Sequence, residues 1–184
     1  MMCRATGWKR ATVLGSKRLH AAALLVAAAS FAFAGSVFAQ EPPRAGQVFG
    51  DWRFDCAAVT EERSQCRLTQ TMVTGESRKA VAQLSLAPGR DGGLTLSALL
   101  PLGLSIPAGV RVAVDDQDEI TLDLERCVRA GCIAGHKLLV EEIATLRSGT
   151  VINIKFDAAA GRMIALAGSL SGISAGLDAT GWDR

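Results

Sequence analysis

Several spacings that would announce chemistry are missing from this chain. It has no Cys-x-x-Cys pair, so a thioredoxin-like redox centre is not expected. Nine residues separate Cys56 from Cys66, too many for the close cysteine pairs of a zinc cluster. The acidic run Asp115-Asp116-Gln117-Asp118-Glu119 lacks the glycine and terminal glutamate of an EF-hand, which leaves a solvated turn as the better reading and adventitious calcium as the other. The turn Gly89-Arg90-Asp91-Gly92-Gly93 lacks the strand-to-helix setting in which backbone amides cradle phosphate. No internal repeat and no strand–helix alternation is present, which argues against a parallel sheet.

Acidic residues are also missing from one place: none of the 18 lies in the first 39 positions. That segment instead reads as an export signal. Arg4, Lys9, Arg10, Lys17 and Arg18 form a basic start, Ala21 to Ala34 an apolar stretch of 14 residues, and Val37-Phe38-Ala39 a cleavage site before Gln40. The rival reading is an uncleaved anchor, with the apolar tract stretched to Ala39. A spanning helix needs about 20 predominantly apolar residues, and this tract is alanine-rich and broken by Ser30, Gly35 and Ser36. No cysteine follows the cleavage point to accept a lipid, and Lys-Arg pairs make only a weak twin-arginine signal.

Cleavage changes the charge balance. The precursor carries 20 basic and 18 acidic side chains, and the signal takes five basic ones with it, leaving 15 against 18. The basic character belongs to the leader. No basic stripe remains, so a nucleic-acid partner is not expected.

The mature chain, about 145 residues, suits one domain, and such a domain buries roughly 68–70% of its unfolded surface. Its cysteines are Cys56, Cys66, Cys127 and Cys132. Four cysteines in an exported chain imply two disulfides with three connectivities, and their clustering favours Cys56–Cys66 and Cys127–Cys132. Each such short loop contributes roughly 2–3 kcal/mol in the chain-entropy model.

After a flexible lead-in over 40–47, apolar residues recur with a period of two, which predicts strands. Trp52, Phe54 and Cys56 mark the first strand and Gln65 to Val73 the second. Lys79 to Ala87 and Leu94 to Leu100 flank the glycine-rich turn. Val110, Val112 and Val114 face Ile120, Leu122 and Leu124 across the acidic turn as a hairpin. Cys127 to Cys132 reads as a tight loop, with Gly131 free to take a positive φ. Lys137 to Ser148 breaks the pattern. Its Leu138, Leu139, Ile143 and Leu146 repeat at helical spacing, and Gly149 stands at the C-cap position. Val151 to Phe156 and Met163 to Leu170 return to strand. About eight strands and one short helix suggest an all-β, antiparallel β-sandwich over residues 48–184.

Five motifs carry a likeness: Trp52-Arg53-Phe54-Asp55-Cys56; Cys66 followed by Gln70; Leu100-Pro101-Leu102-Gly103-Leu104 leading to Ile106-Pro107-Ala108-Gly109-Val110; Cys127 with Gly131-Cys132; and Ser169-Leu170-Ser171-Gly172-Ile173. In this order, over roughly residues 49 to 177, the chain resembles the invasion-associated locus B family of exported bacterial proteins. It departs at Ile173, where an aromatic residue is usual. The resemblance implies an immunoglobulin-like β-sandwich in the periplasm or at the cell surface, linked in its founding members to host-cell invasion. It implies no catalytic residue and no cofactor.

Two features remain as candidates. His136 is the one histidine after the signal, and no serine or cysteine nucleophile stands in a recognisable setting for it, so an enzyme is not expected. Leu100, Leu102, Leu104 and Ile106 lie in an apolar, proline- and glycine-broken link. They are either a crossover packed over one end of the sandwich or an exposed patch that meets a partner. The expectation is a non-enzymatic interaction protein with an unidentified protein partner at the envelope or a host surface. The alternative is a periplasmic accessory protein that maintains the envelope without host contact.

Overall fold

A computed structural model describes residues 41–61, 63–74 and 79–183. The expected signal over 1–39 lies outside the described residues. Ten strands form in chain order: β1 Val48–Phe49, β2 Trp52–Thr60, β3 Arg63–Thr74, β4 Lys79–Pro88, β5 Leu94–Leu100, β6 Val110–Val114, β7 Ile120–Val128, β8 Gly131–Lys137, β9 Val151–Asp157 and β10 Met163–Ser169. Two α-helices interrupt them among the described residues, α1 Val140–Ser148 and α2 Ile173–Thr180.

Every strand pairing is antiparallel, in the order β1-β2-β3-β4-β5-β8-β7-β6-β9-β10. The strand β7 belongs to both halves of the array. Its first residues, Ile120 to Leu122, pair with β6, and Asp123 to Val128 pair with β8. A bulge between Leu124 and Arg126 falls at the changeover, where an extra residue bends and twists the strand. The sheet therefore turns a corner at β7 and folds over itself as a two-layer sandwich.

The alternation of apolar residues decides what lies between the layers. Along β5, Leu94, Leu96, Ala98 and Leu100 are buried and Thr95, Ser97 and Leu99 are not. Along β9, Ile152, Ile154 and Phe156 point inward from the opposite layer. With Leu68, Leu84, Leu86, Val110 and Val112 they form one core, and each such side chain contributes about 1.5–3 kcal/mol through burial.

The last strand is tied to the first ones by a side chain. Gln70 on β3, 6% exposed, donates from Nε2 to the Ser169 carbonyl at 2.7 Å. Its Oε1 accepts from the Ser169 N–H at 3.0 Å. One bond given and one received is what a neighbouring strand would supply. The same carbonyl accepts from Trp52 Nε1 at 3.0 Å, which satisfies the only donor of a fully buried indole. Just beyond, Asp51 N–H donates to Ser171 O, and Gly50 and Gly172, both at positive φ, lie backbone to backbone. A Cβ on Gly172 would collide with the Phe49 carbonyl, so only glycine permits this approach.

Both cysteine pairs are joined as expected, Cys56–Cys66 and Cys127–Cys132. Each links directly opposed residues of adjacent strands, β2 with β3 and β7 with β8. The second pair corrects one expectation. Cys127 and Cys132 do not close a loop but sit in two strands joined by a two-residue turn. In β8 the inward positions are Cys132 and Ala134, too small to announce a strand. Gly131 does take a positive φ, because the Leu100 backbone lies against it.

The helices differ from expectation as well. α1 starts at Val140 rather than Lys137, because Lys137 still pairs with Thr95 and the Leu138 N–H donates to Leu94 O. α2 was not expected at all. It buries Ile173 and Leu177 and lays Gly176 on Leu68. Arg147 of α1 fastens it, pairing with Asp178 and Asp183 at 2.9 and 2.6 Å. Partial burial works against this guanidinium's charge, but the two carboxylates outweigh it and hold Arg147 above the ordinary arginine range.

Replacing Gln70 with leucine should lower unfolding free energy by about 1–3 kcal/mol, because the Ser169 N–H loses its partner in a dry site. Urea denaturation checks this, and an unchanged midpoint would remove Gln70 from the account. Replacing Cys56 and Cys66 together with serine should cost roughly 2–3 kcal/mol by the same measurement.

Candidate functional site

The apolar link does not form one patch. Leu100 (1% exposed) ends β5 inside the core, and Leu104 (9%) is held there by a bridge to Ala158. Leu102 (58%) and Ile106 (63%) face solvent. Of the four candidate residues, Leu100 and Leu104 are therefore withdrawn from the surface. The period of two explains Leu100, and the bonds of Ser105 N–H to Asp157 O and Ala159 N–H to Gly103 O explain Leu104, by pinning the link over β9. Ile106 opens a single 3-10 turn, Ile106–Ala108.

His136 is engaged in structure-holding contacts. Its Nε2 lies 3.0 Å from Glu142 Oε2, and the same carboxylate oxygen accepts the Leu139 N–H at 2.7 Å. Glu142 thereby satisfies a free donor at the start of α1 and ties that helix to β8. Gly172-Ile173-Ser174-Ala175-Gly176 has the G-x-S-x-G spacing of a nucleophile elbow, a match passed over in reading the sequence. Ser174 follows β10 at the start of α2, but its hydroxyl donates to the Arg147 carbonyl at 2.8 Å. His136 faces Glu142 instead, so the two do not form a nucleophile–base pair.

The acidic turn is more committed than a solvated tip. Asp115 adopts φ +48 and accepts the Thr150 and Val151 N–H groups at 3.0 and 2.9 Å. Glu119 receives Lys155 Nζ at 2.7 Å, and that hydrogen bond holds its carboxyl below the usual glutamate range. Among the described residues no group of three metal-ligating side chains converges.

What sequence reading missed lies on the outer face of the larger layer. A hollow of about 530 Å³ crosses β3, β4, β5, β8 and β7. Gln83, Ser85, Thr95 and Ser97 make a half-buried polar floor, with Ser85 directly opposite Ser97. Arg67 and Arg90 stand at one side. Arg126 stands at the other, at the end of the row Gln83–Leu99–Ile133–Arg126 that crosses four strands. Glu125, set by the bulge, overlies Gly135 and lies 3.4 Å from Arg126 Nη1. Three guanidiniums and one carboxylate line this space. The arginines are spread over 60 positions of sequence, so only the strand register brings them together.

These features define a class: an antiparallel β-sandwich stapled by two cross-strand disulfides, with a polar hollow on one outer face. The chain belongs to the invasion associated locus B (IalB) protein family, whose model matches residues 52–181. It is 28% identical to an invasion protein B homolog of Brucella abortus strain 2308, over 72% of this chain and 76% of that one. The homolog of Brucella abortus biovar 1, strain 9-941, matches with the same identity and coverage. The crystal structure of invasion associated protein B from Bartonella henselae superposes with a TM-score of 0.63 at 24% identity. It covers 72% of this chain and 91% of that one, and supports the fold.

An aspartate at Leu104 should cost about 3–5 kcal/mol, because it places an unpaired charge in the core. The same substitution at Leu102 should leave the thermal midpoint within a degree or two. Equal losses at both positions would contradict the division of the link into buried and exposed residues.

Proposed function

We propose that the mature chain is an exported, non-enzymatic binding protein of the bacterial envelope, released from the signal over 1–39 into the periplasm or to the cell surface. The observation that carries the binding role is the polar hollow, an open face onto which side chains of five strands project. Export is supported by the two disulfides, since reduced compartments rarely retain them. Among the described residues no helix is long and apolar enough to cross a membrane. The relatives' name, invasion protein B, makes contact with a host cell the setting in which binding would operate.

Fractionation of producing cells with intact-mass analysis tests the address. The expected species begins at Gln40 and lacks about two hydrogens per disulfide. Full-length protein with free thiols in the cytosol would contradict export. Crosslinking in intact cells tests the role, and a defined partner is expected. Sensitivity to detergent on deletion, with no partner captured, would favour envelope maintenance instead.

A further inference from the structure

The hollow on the outer face has a chemistry that narrows its ligand, given the reading of this chain as a binding protein. Its charge is opposite to that of the chain around it. The mature sequence carries 15 basic against 18 acidic side chains, whereas among the described residues the hollow gathers Arg67, Arg90 and Arg126 against Glu125. A local positive field on a negative protein steers anions to that place.

The hollow is also long. Arg67 on β3 and Arg126 on β7 stand four inter-strand spacings apart across the sheet, about 19 Å at the usual separation, and their rows are offset by four residues along it, roughly 13 Å more. One small anion would meet one end and leave the other unused.

Between the charged ends lie hydroxyls and an amide. Ser85, Thr95, Ser97 and Gln83 both donate and accept, which suits a ligand whose own surface is hydroxyl-rich. Among the described residues no aromatic side chain lines the hollow, so a neutral sugar would have no ring there to stack on. A peptide would find no strand edge on the hollow's central strands, β4, β5 and β8, which are each paired on both sides. We propose that this hollow binds an acidic glycan, a chain of sugar units bearing carboxylate or sulfate groups. Arg67, with Arg90 beside it, takes an anionic group at one end, and Arg126 takes another at the far end. The Ser85–Ser97 floor meets the sugar hydroxyls between them. Glu125 repels the ligand and sets an upper limit on its charge density.

Titration calorimetry on the oxidised mature protein tests this with four probes. They are a heparin-derived hexasaccharide, a hexameric uronate oligosaccharide, maltohexaose and hexaglutamate. One or both acidic sugars should bind, with affinity falling as salt rises. Binding should weaken about tenfold or more in each of Arg67→Ser and Arg126→Ser, as for a lost charge-assisted hydrogen bond. Glu125→Gln should bind several-fold tighter. Thermal midpoints of these surface variants should match the parent, which separates lost binding from lost fold. No binding of either acidic sugar, equal binding of maltohexaose, or equal binding of hexaglutamate would each overturn the proposal. A protein partner still captured in cells by the Arg67→Ser/Arg126→Ser variant would keep the interaction role while removing the glycan from it.

Discussion

The sandwich depends on one two-way contact, the Gln70 amide against the peptide of Ser169. Residues 99 positions apart are joined there by a side chain acting as a strand. Without it, β10 would keep its pairing to β9, but its tie to β3 would be lost and only Trp52 Nε1 and the Asp51 N–H would bond this end of the layers together. Trp52 adds to the same point from β2, so the Ser169 carbonyl receives two donors from the opposite layer. The two glycines that let the β1–β2 turn lie on the start of α2 complete the closure. A buried amide that gives and receives fixes register as well as adding stability, since an apolar residue there would tolerate sliding.

Closure has a consequence for the outside. With α2 laid on Leu68 and the core sealed from within, no element among the described residues covers the outer face of β3, β4, β5, β8 and β7, which keeps polar side chains at the surface. The disulfides lie in the two hairpins that bound this stretch, β2–β3 and β7–β8. They fix the register of the strands bearing Arg67 and Arg126, and register is what sets which side chains share the hollow. The buried face thus holds the layers together, and the opposite face presents the side chains of the hollow.

Much of this was legible in the residues. Alternation along Leu94 to Leu100 and Val151 to Phe156 carries strand identity on its own, and the clustering of the cysteines carries their pairing. Trp52, Gln70 and Ser169 belonged to separate short motifs, each weak alone, and they meet at one point. Other parts were hidden for physical reasons. β8 has Ala134 and Gly135 where a strand usually shows branched residues, and the Glu125 carboxylate lies where a Cβ on Gly135 would stand. α2 is only eight residues long and contains a glycine, so its apolar spacing was too brief to read. The buried state of Leu104 comes from backbone bonds to the chain around Asp157, far away in sequence. The hollow depends on a crossover that places β8 between β5 and β7, and no local pattern encodes that neighbour.

Native-state hydrogen exchange at the Ser169 amide addresses the closure most directly. If the Gln70 contact locks the layers, this amide should exchange only through global opening, with the same free energy as the central amides of β3 and β4. Exchange several kcal/mol faster than those amides, at the rate of a fraying edge, would show that β10 opens by itself and that the sandwich is closed by packing without the lock.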